Sequence, residues 1–399
     1  MKCFRNSWFV GLGFLVLIKP GVISGMPALS ALDSLIDVSR LVLIFFTVIA
    51  FINIKVKLDR KLIVGLLILA GELWELVSTS LNGGTYSSWG SLMNTCGITL
   101  FTYLCLFFDV RNFLKSLSYL LGWYVIINTI TVFLFPDGMY ESKVYTQNFF
   151  LSYRTAWFIY YYLAIFVTFL WYEVNHTKKT RKWLGLVIFC AYLSMLRQWT
   201  ATALFCISLM LLVLYIFKRR RKCFTARTVI VTEIVAFIGI VFFQMQNYLS
   251  FIIETLLGKD LTLSSRVRIW SNAIDAIQGK ELLGYGNMDP IRATSLLGYG
   301  VDHAHSYYLN TILYYGIIGL VIGLVTLVVA FSGKNAKNHM QGSNDGRNTN
   351  ANGYFICIAA LIALMTGYQV EAMMSIGYYL TILFLVSAEV CEKGLTHDK

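Results

Sequence analysis

Residues 204–222 read Leu-Phe-Cys-Ile-Ser-Leu-Met-Leu-Leu-Val-Leu-Tyr-Ile-Phe-Lys-Arg-Arg-Arg-Lys, an apolar run ending in five consecutive cations from Lys218 to Lys222. Lysine and arginine are retained on the cytoplasmic side of membrane spans, so this cluster marks an inner boundary and orients its neighbours. Working outward, apolar runs between polar breaks fall near 7–24, 35–54, 62–80, 91–108, 116–135, 155–172, 183–196, 199–217, 228–247, 305–331, 353–370 and 373–390. At about 20 residues per crossing these make twelve spans. With both termini inside, the inner segments hold 23 of the 33 Lys and Arg residues. Five of the other ten lie in one long outer segment, which the short-loop charge rule does not govern. Shifting the count by one span would put the Lys218–Lys222 cluster outside.

Composition agrees. The 399 residues are 57% hydrophobic and 14% charged, against about 25% charged in soluble domains, which excludes an ordinary water-soluble globule. The net charge of +12 is largely the orienting charge of the inner segments, so it does not argue for nucleic acid. The eight cysteines show no CxxC spacing and support neither a disulfide frame nor a zinc site. Lys2 and Arg5 ahead of the run Trp8–Ile18 resemble a signal peptide, with Ala28-Leu29-Ser30 as a passable cleavage site. The many following spans favour an uncleaved first span.

The expected organisation is therefore an all-α polytopic membrane protein with about 12 transmembrane helices and both termini cytoplasmic. Spans 1–9 occupy residues 1–247, and an extracytoplasmic loop occupies 248–304. Spans 10–12 fill 305–390, with a flexible Asn/Gly-rich inner loop at 332–352, and a cytoplasmic tail covers 391–399. A long loop on one face is a place to look for chemistry. It carries Leu263-Ser264-Ser265-Arg266-Val267-Arg268-Ile269-Trp270, where Arg266 and Trp270 share a helical face and Arg268 points elsewhere. Leu282-Leu283-Gly284-Tyr285-Gly286 follows, then Asp302-His303-Ala304-His305-Ser306-Tyr307-Tyr308-Leu309-Asn310, then Tyr315-Gly316-Ile317-Ile318-Gly319-Leu320.

The order and spacing of these four pieces, over Ser264 to Leu320, resemble the O-antigen ligase and Wzy-type polysaccharide polymerase superfamily, with Ser306 where the family often has Asn. The resemblance implies a GT-C-like membrane glycosyltransferase at the outer face of the bacterial cytoplasmic membrane. Its implied substrate, as both donor and acceptor, is an oligosaccharide repeat on undecaprenyl pyrophosphate. Polymerisation into capsular or O-antigen polysaccharide is the expected function. Ligase-type transfer to a lipid or protein acceptor is one alternative, and a twelve-span flippase or other transporter is another. Membrane lipid, a flippase and a chain-length regulator are the implied partners.

Such a transfer needs a cation for the leaving pyrophosphate and a base for the attacking hydroxyl. Arginine stays charged and grips phosphate oxygens bidentately, and histidine titrates near neutrality. Arg266 matches the family's loop arginine and His305 its loop histidine, and these are the catalytic candidates; His303 is the less favoured neighbour. Arg197, at a tight outer turn, and Arg154, at the start of the sixth span, are further candidates for the pyrophosphate. Glu371, between the closing spans, is a candidate acceptor-orienting group or arginine partner, and Trp270 and Tyr307 are candidates for stacking on sugars. The plain alternatives are a solvated or headgroup-anchoring arginine at 266, a structural hydrogen bond at His305, and a mere boundary residue at Arg197. Glu72 and Glu75, three apart in the third span, must be protonated, paired or facing water, with sugar hydroxyls or Arg40 as candidate partners. The outer-loop acids form no DxD pair and a carrier-linked donor is already activated, so neither metal nor cofactor is expected.

Overall fold

A computed structural model describes residues 2–54, 56, 58–84, 88–142, 145–219, 226–239, 266–298, 300–332, 352–371 and 376–393. Most of the Lys218–Lys222 cluster, the last eight residues of the ninth run, the loop up to Ser265, the Asn/Gly-rich segment and the last tail residues lie outside these.

Every apolar run expected to span has helix within it. The helices are α1 Ser7–Leu17, α2 Gly21–Gly25, α3 Ser30–Ile52, α4 Arg60–Leu81, α5 Ser88–Phe108, α6 Val110–Leu134, α7 Trp157–Asn175, α8 Lys178–Arg197, α9 Ala201–Arg219 and α10 Ala226–Phe237. After the loop helices α11 Arg266–Ile277 and α12 Pro290–Leu297 come α13 Tyr307–Phe331, α14 Asn352–Val370 and α15 Ile376–Lys393. Six stretches among the described residues are long and apolar enough to cross a membrane: Pro27–Ile52, Arg60–Leu81, Trp89–Phe108, Val110–Leu134, Arg154–Asn175 and Tyr307–Phe331. Four shorter apolar helices accompany them, within α1, α9, α14 and α15. The molecule is a largely helical, multi-pass membrane protein.

Among the described residues, two runs expected as single spans are broken. The first divides at Ile18-Lys19-Pro20 into α1 and α2, because Pro20 has no N–H to donate and disfavours helical backbone at Lys19. At the break, Lys19 Nζ lies 2.5 Å from Asp33 Oδ1 and 2.8 Å from Asp37 Oδ1. Arg40 pairs with Asp37 at 3.4 Å and donates to the Val16 carbonyl at 3.2 Å. These contacts explain how α3 carries two aspartates near one end of a span.

The second break is in α13 at Gly316, whose φ of 68° and ψ of −175° are non-helical. A Cβ there would lie 2.0 Å from the Leu282 carbonyl oxygen, so only glycine fits. The freed backbone is satisfied from the loop: Ile317 N donates to Glu281 O at 2.7 Å, Tyr285 N to Leu313 O at 2.9 Å and Gly286 N to Tyr314 O at 2.7 Å. From α4, Trp74 Nε1 donates to Tyr315 O at 2.7 Å and Ser78 Oγ to Leu283 O at 2.6 Å. The Leu-x-Gly-x-Gly and Gly-Ile-Ile-Gly stretches are thus two sides of one joint. Irregular backbone at membrane depth survives only with such internal partners.

The core lies where α6 and α7 pack, with α14 and α15 against them. Buried Asn128 on α6 donates to Tyr161 OH at 2.7 Å and accepts from Leu151 N at 2.8 Å, and Tyr161 OH in turn meets Ser194 Oγ at 2.7 Å. This chain fixes a short hairpin, β1 Asn148–Phe149 with β2 Ser152–Tyr153, onto the end of the bundle.

Candidate active site

The segment between α10 and α13 has its own small core. Ile269, Trp270 and Ala273 of α11 are buried with Met288, Ala293, Leu297 and Ala304, and with Leu309, Leu313 and Tyr314 of α13. This packing holds α11 across the start of α13 and places its first residue, Arg266, over the end of α14. There Arg266 Nη2 donates to Glu371 Oε1 in a short ion pair across 105 residues of sequence. His305 Nδ1 lies 3.6 Å from the other oxygen of the same carboxylate, just beyond hydrogen-bond distance. The side chains of Arg266, Glu371 and His305 are 18, 16 and 23% exposed, a partly dry cluster with an open side.

His305 is held by its backbone. Its φ of 48° is left-handed, costly for a residue with a Cβ, and such conformations persist where the surroundings impose them. On one side Ala304 N donates to Asn310 Oδ1 at 3.0 Å, and on the other Ser306 starts α13. Tyr314 OH donates to the Asp302 carbonyl at 2.6 Å and pins the turn. The His303 ring lies 4.2 Å from that of His305, and its Nδ1 is 2.7 Å from Asp302 Oδ1. Burial pushes the Glu371 carboxyl up, but His305, Arg266 and His303 outweigh it and hold it below its usual value. Glu371 is therefore a fixed negative charge between two groups able to carry positive charge.

Of the residues singled out in the sequence, Arg266, His305 and Glu371 come together. Tyr307 lies beside them, half-buried and stacked on Tyr368 at 4.3 Å, three residues before Glu371. Trp270 is 1% exposed and faces the loop's core, where its bulk positions α11 and leaves no free face for a sugar. Arg197 ends α8 and Arg154 begins the turn before α7; both are exposed, and no hydrogen bond or ion pair among the described residues joins them to Glu371 or His305. Glu72 accepts from Tyr379 OH at 2.7 Å, Ser91 Oγ at 3.0 Å and Thr95 Oγ1 at 3.1 Å, so hydroxyls and not Arg40 are its partners.

Two features escaped the sequence. Tyr145 stacks on Tyr153 at 3.8 Å, and its hydroxyl is pushed up by burial, by Tyr153 and by the charges of Asp302 and Glu371, which places the hairpin beside the site. Buried Glu233 on α10 accepts from Gln369 Nε2 at 3.0 Å, two residues from Glu371. Neither has a local sequence signal, because both depend on which helix ends meet.

The chain is a multi-pass helical membrane protein with a polar cluster where a packed loop meets the ends of its helices. Residues 184–324, from within α8 to within α13, match the model of a family described as O-antigen ligase, and the resemblance carried by the loop motifs is borne out over that stretch. No curated protein matches the chain. The family supports a role in membrane glycan transfer with lipid-linked glycan substrates.

Proposed function

We propose that the chain polymerises oligosaccharide repeats, moving the growing glycan from a polyprenyl pyrophosphate carrier to the terminal sugar of another carrier-linked repeat at the outer face of the bacterial cytoplasmic membrane. The observation that carries this reading is the Arg266–Glu371–His305 cluster. Glu371 faces the Nδ1 side of His305, which orients the ring and leaves Nε2 to take the proton of the attacking hydroxyl. The guanidinium of Arg266 has donors beyond the one given to Glu371, and these meet charge developing on the departing pyrophosphate. The C1–O bond to the carrier breaks, the new glycosidic bond forms, and the proton passes to His305. Exposed Arg197 and Arg154 are proposed to meet the carrier's phosphates as they approach from the membrane. No step uses a metal ion, because the carrier pyrophosphate is already a good leaving group and Arg266 supplies the positive charge.

Ligase-type transfer is the second reading, favoured by the description of the matched family. Both are tested with the purified chain in lipid nanodiscs, given carrier-linked repeat from cells that cannot extend it. Polymerisation predicts a ladder of chain lengths on the carrier with no other acceptor added, unchanged by EDTA. A product that forms only when a lipid or protein acceptor is supplied would support the ligase. No transfer of either kind would reject the glycosyltransferase reading.

A further inference from the structure

A second polar site lies at the same end of the bundle. A cavity of about 420 Å³ opens where the last turn of α1 and the break after it meet the first turns of α5, α7 and α15, with Arg40 of α3 in its wall. That volume is in the usual range of small-molecule pockets, ~300–1,000 Å³. Its polar lining is Lys19, Ser24, Arg40, Ser91, Asn94 and Thr95, and its apolar lining includes Ile98, Leu151, Ile159 and Leu163. The cations do not make it an anion site. Lys19 is held by Asp33 and Asp37, and Arg40 by Asp37 and a carbonyl, so the charge of the lining is already balanced, and Ser24, Ser91 and Thr95, which donate to Asp33 and Glu72, present hydroxyl oxygens as acceptors. The side-chain oxygen of Asn94 is buried without a donor, and behind Ser91 and Thr95 the Glu72 carboxylate fixes their hydroxyls. Polar groups interleaved with apolar side chains match the hydroxyls and C–H faces of a sugar ring, whereas a phosphate would meet the nearby aspartates.

The cavity adjoins the candidate active site through two elements. Ser152 lines it, and the next residue, Tyr153, stacks on Tyr145, whose hydroxyl senses Asp302 and Glu371. Tyr379, on the helix that follows Glu371, also lines it. We propose that this cavity binds a neutral sugar of the acceptor repeat and so holds the attacking glycan in register with His305. The proposal rests on the glycan-transfer reading but makes a separate claim about binding.

The test is saturation-transfer NMR on the full chain in nanodiscs, with the repeat unit released from its carrier by mild acid as the probe. The wild type and Arg266→Ala should both transfer saturation to the sugar ring protons, and Asn94→Leu should not. Asn94→Ala, a smaller change, should raise the half-saturating acceptor concentration about tenfold in the transfer assay with little change in maximal rate. No signal from the wild type, or an equal signal from Asn94→Leu, overturns the proposal while leaving the transfer reading intact. A phospholipid that co-purifies stoichiometrically with the wild type and is lost in Asn94→Leu also overturns it. Sugar binding by a protein that transfers nothing would instead remove the transfer reading and keep the site.

Discussion

The two charged clusters at this end of the molecule are built in opposite ways. Lys19, Asp33, Asp37 and Arg40 lie within 22 residues of one another, and their charges cancel within one helical hairpin. Arg266, His305 and Glu371 come from three separate elements, and Arg266 and Glu371 are 105 residues apart. A cluster closed on itself locally stabilises a helix end that would otherwise carry unpaired carboxylates. One assembled from the ends of distant elements depends on the whole fold, and each member keeps bonding capacity directed outward. Chemistry is expected of the second and not of the first.

The contrast can be broken by mutation. Arg266→Ala and Glu371→Ala should each lower the transfer rate by ~10²-fold or more, and the double variant should be little worse than either, because the two residues act as a unit. Multiplicative losses in a radiolabelled transfer assay would mean independent roles. Gly316→Ala should cost about 1–3 kcal/mol of stability by straining the joint between α13 and the loop, measured as earlier thermal unfolding in detergent and faster proteolysis near residue 282. Asp37→Asn should cost no more than about 1 kcal/mol, because Asp37 is 50% exposed, and polymer should still form. A loss of transfer in a stably folded Asp37→Asn protein would give the first cluster a share in the chemistry.

The smallest effect concerns acid. The Glu371 carboxyl is held below its usual 4.5, so its stabilising contribution is complete above that value and fades as pH falls through the lower folded-state value. Between neutrality and about pH 5 the site should therefore keep its ion pair, and unfolding curves of wild type and Glu371→Gln should converge only in stronger acid. Convergence already near pH 6 would show that Glu371 is not clamped as described.

Much of this is legible in the sequence. Hydrophobic runs located helices because span length and apolarity are local properties, and the loop motifs singled out Arg266 and His305. The break at Gly316 was not legible, since an apolar run continues through it; its cause is a carbonyl of Leu282 arriving from the loop. The break after Ile18 did have a local sign in Pro20, outweighed by the apolar residues around it. Glu371 stood out as an acid between two spans, but its pairing with both Arg266 and His305 is a tertiary fact. Trp270 shares the helical face of Arg266 as its spacing implies, and yet that spacing does not tell which neighbour the face meets; it meets the loop's own core.

In the proposed reaction the cluster around Glu371 performs the transfer. The most direct measurement is the chain-length distribution of carrier-linked glycan in cells whose only copy of this protein carries His305→Ala, with its membrane level matched to wild type. Single repeat units accumulating on the carrier with no longer chains is the predicted result, and a wild-type ladder would contradict it.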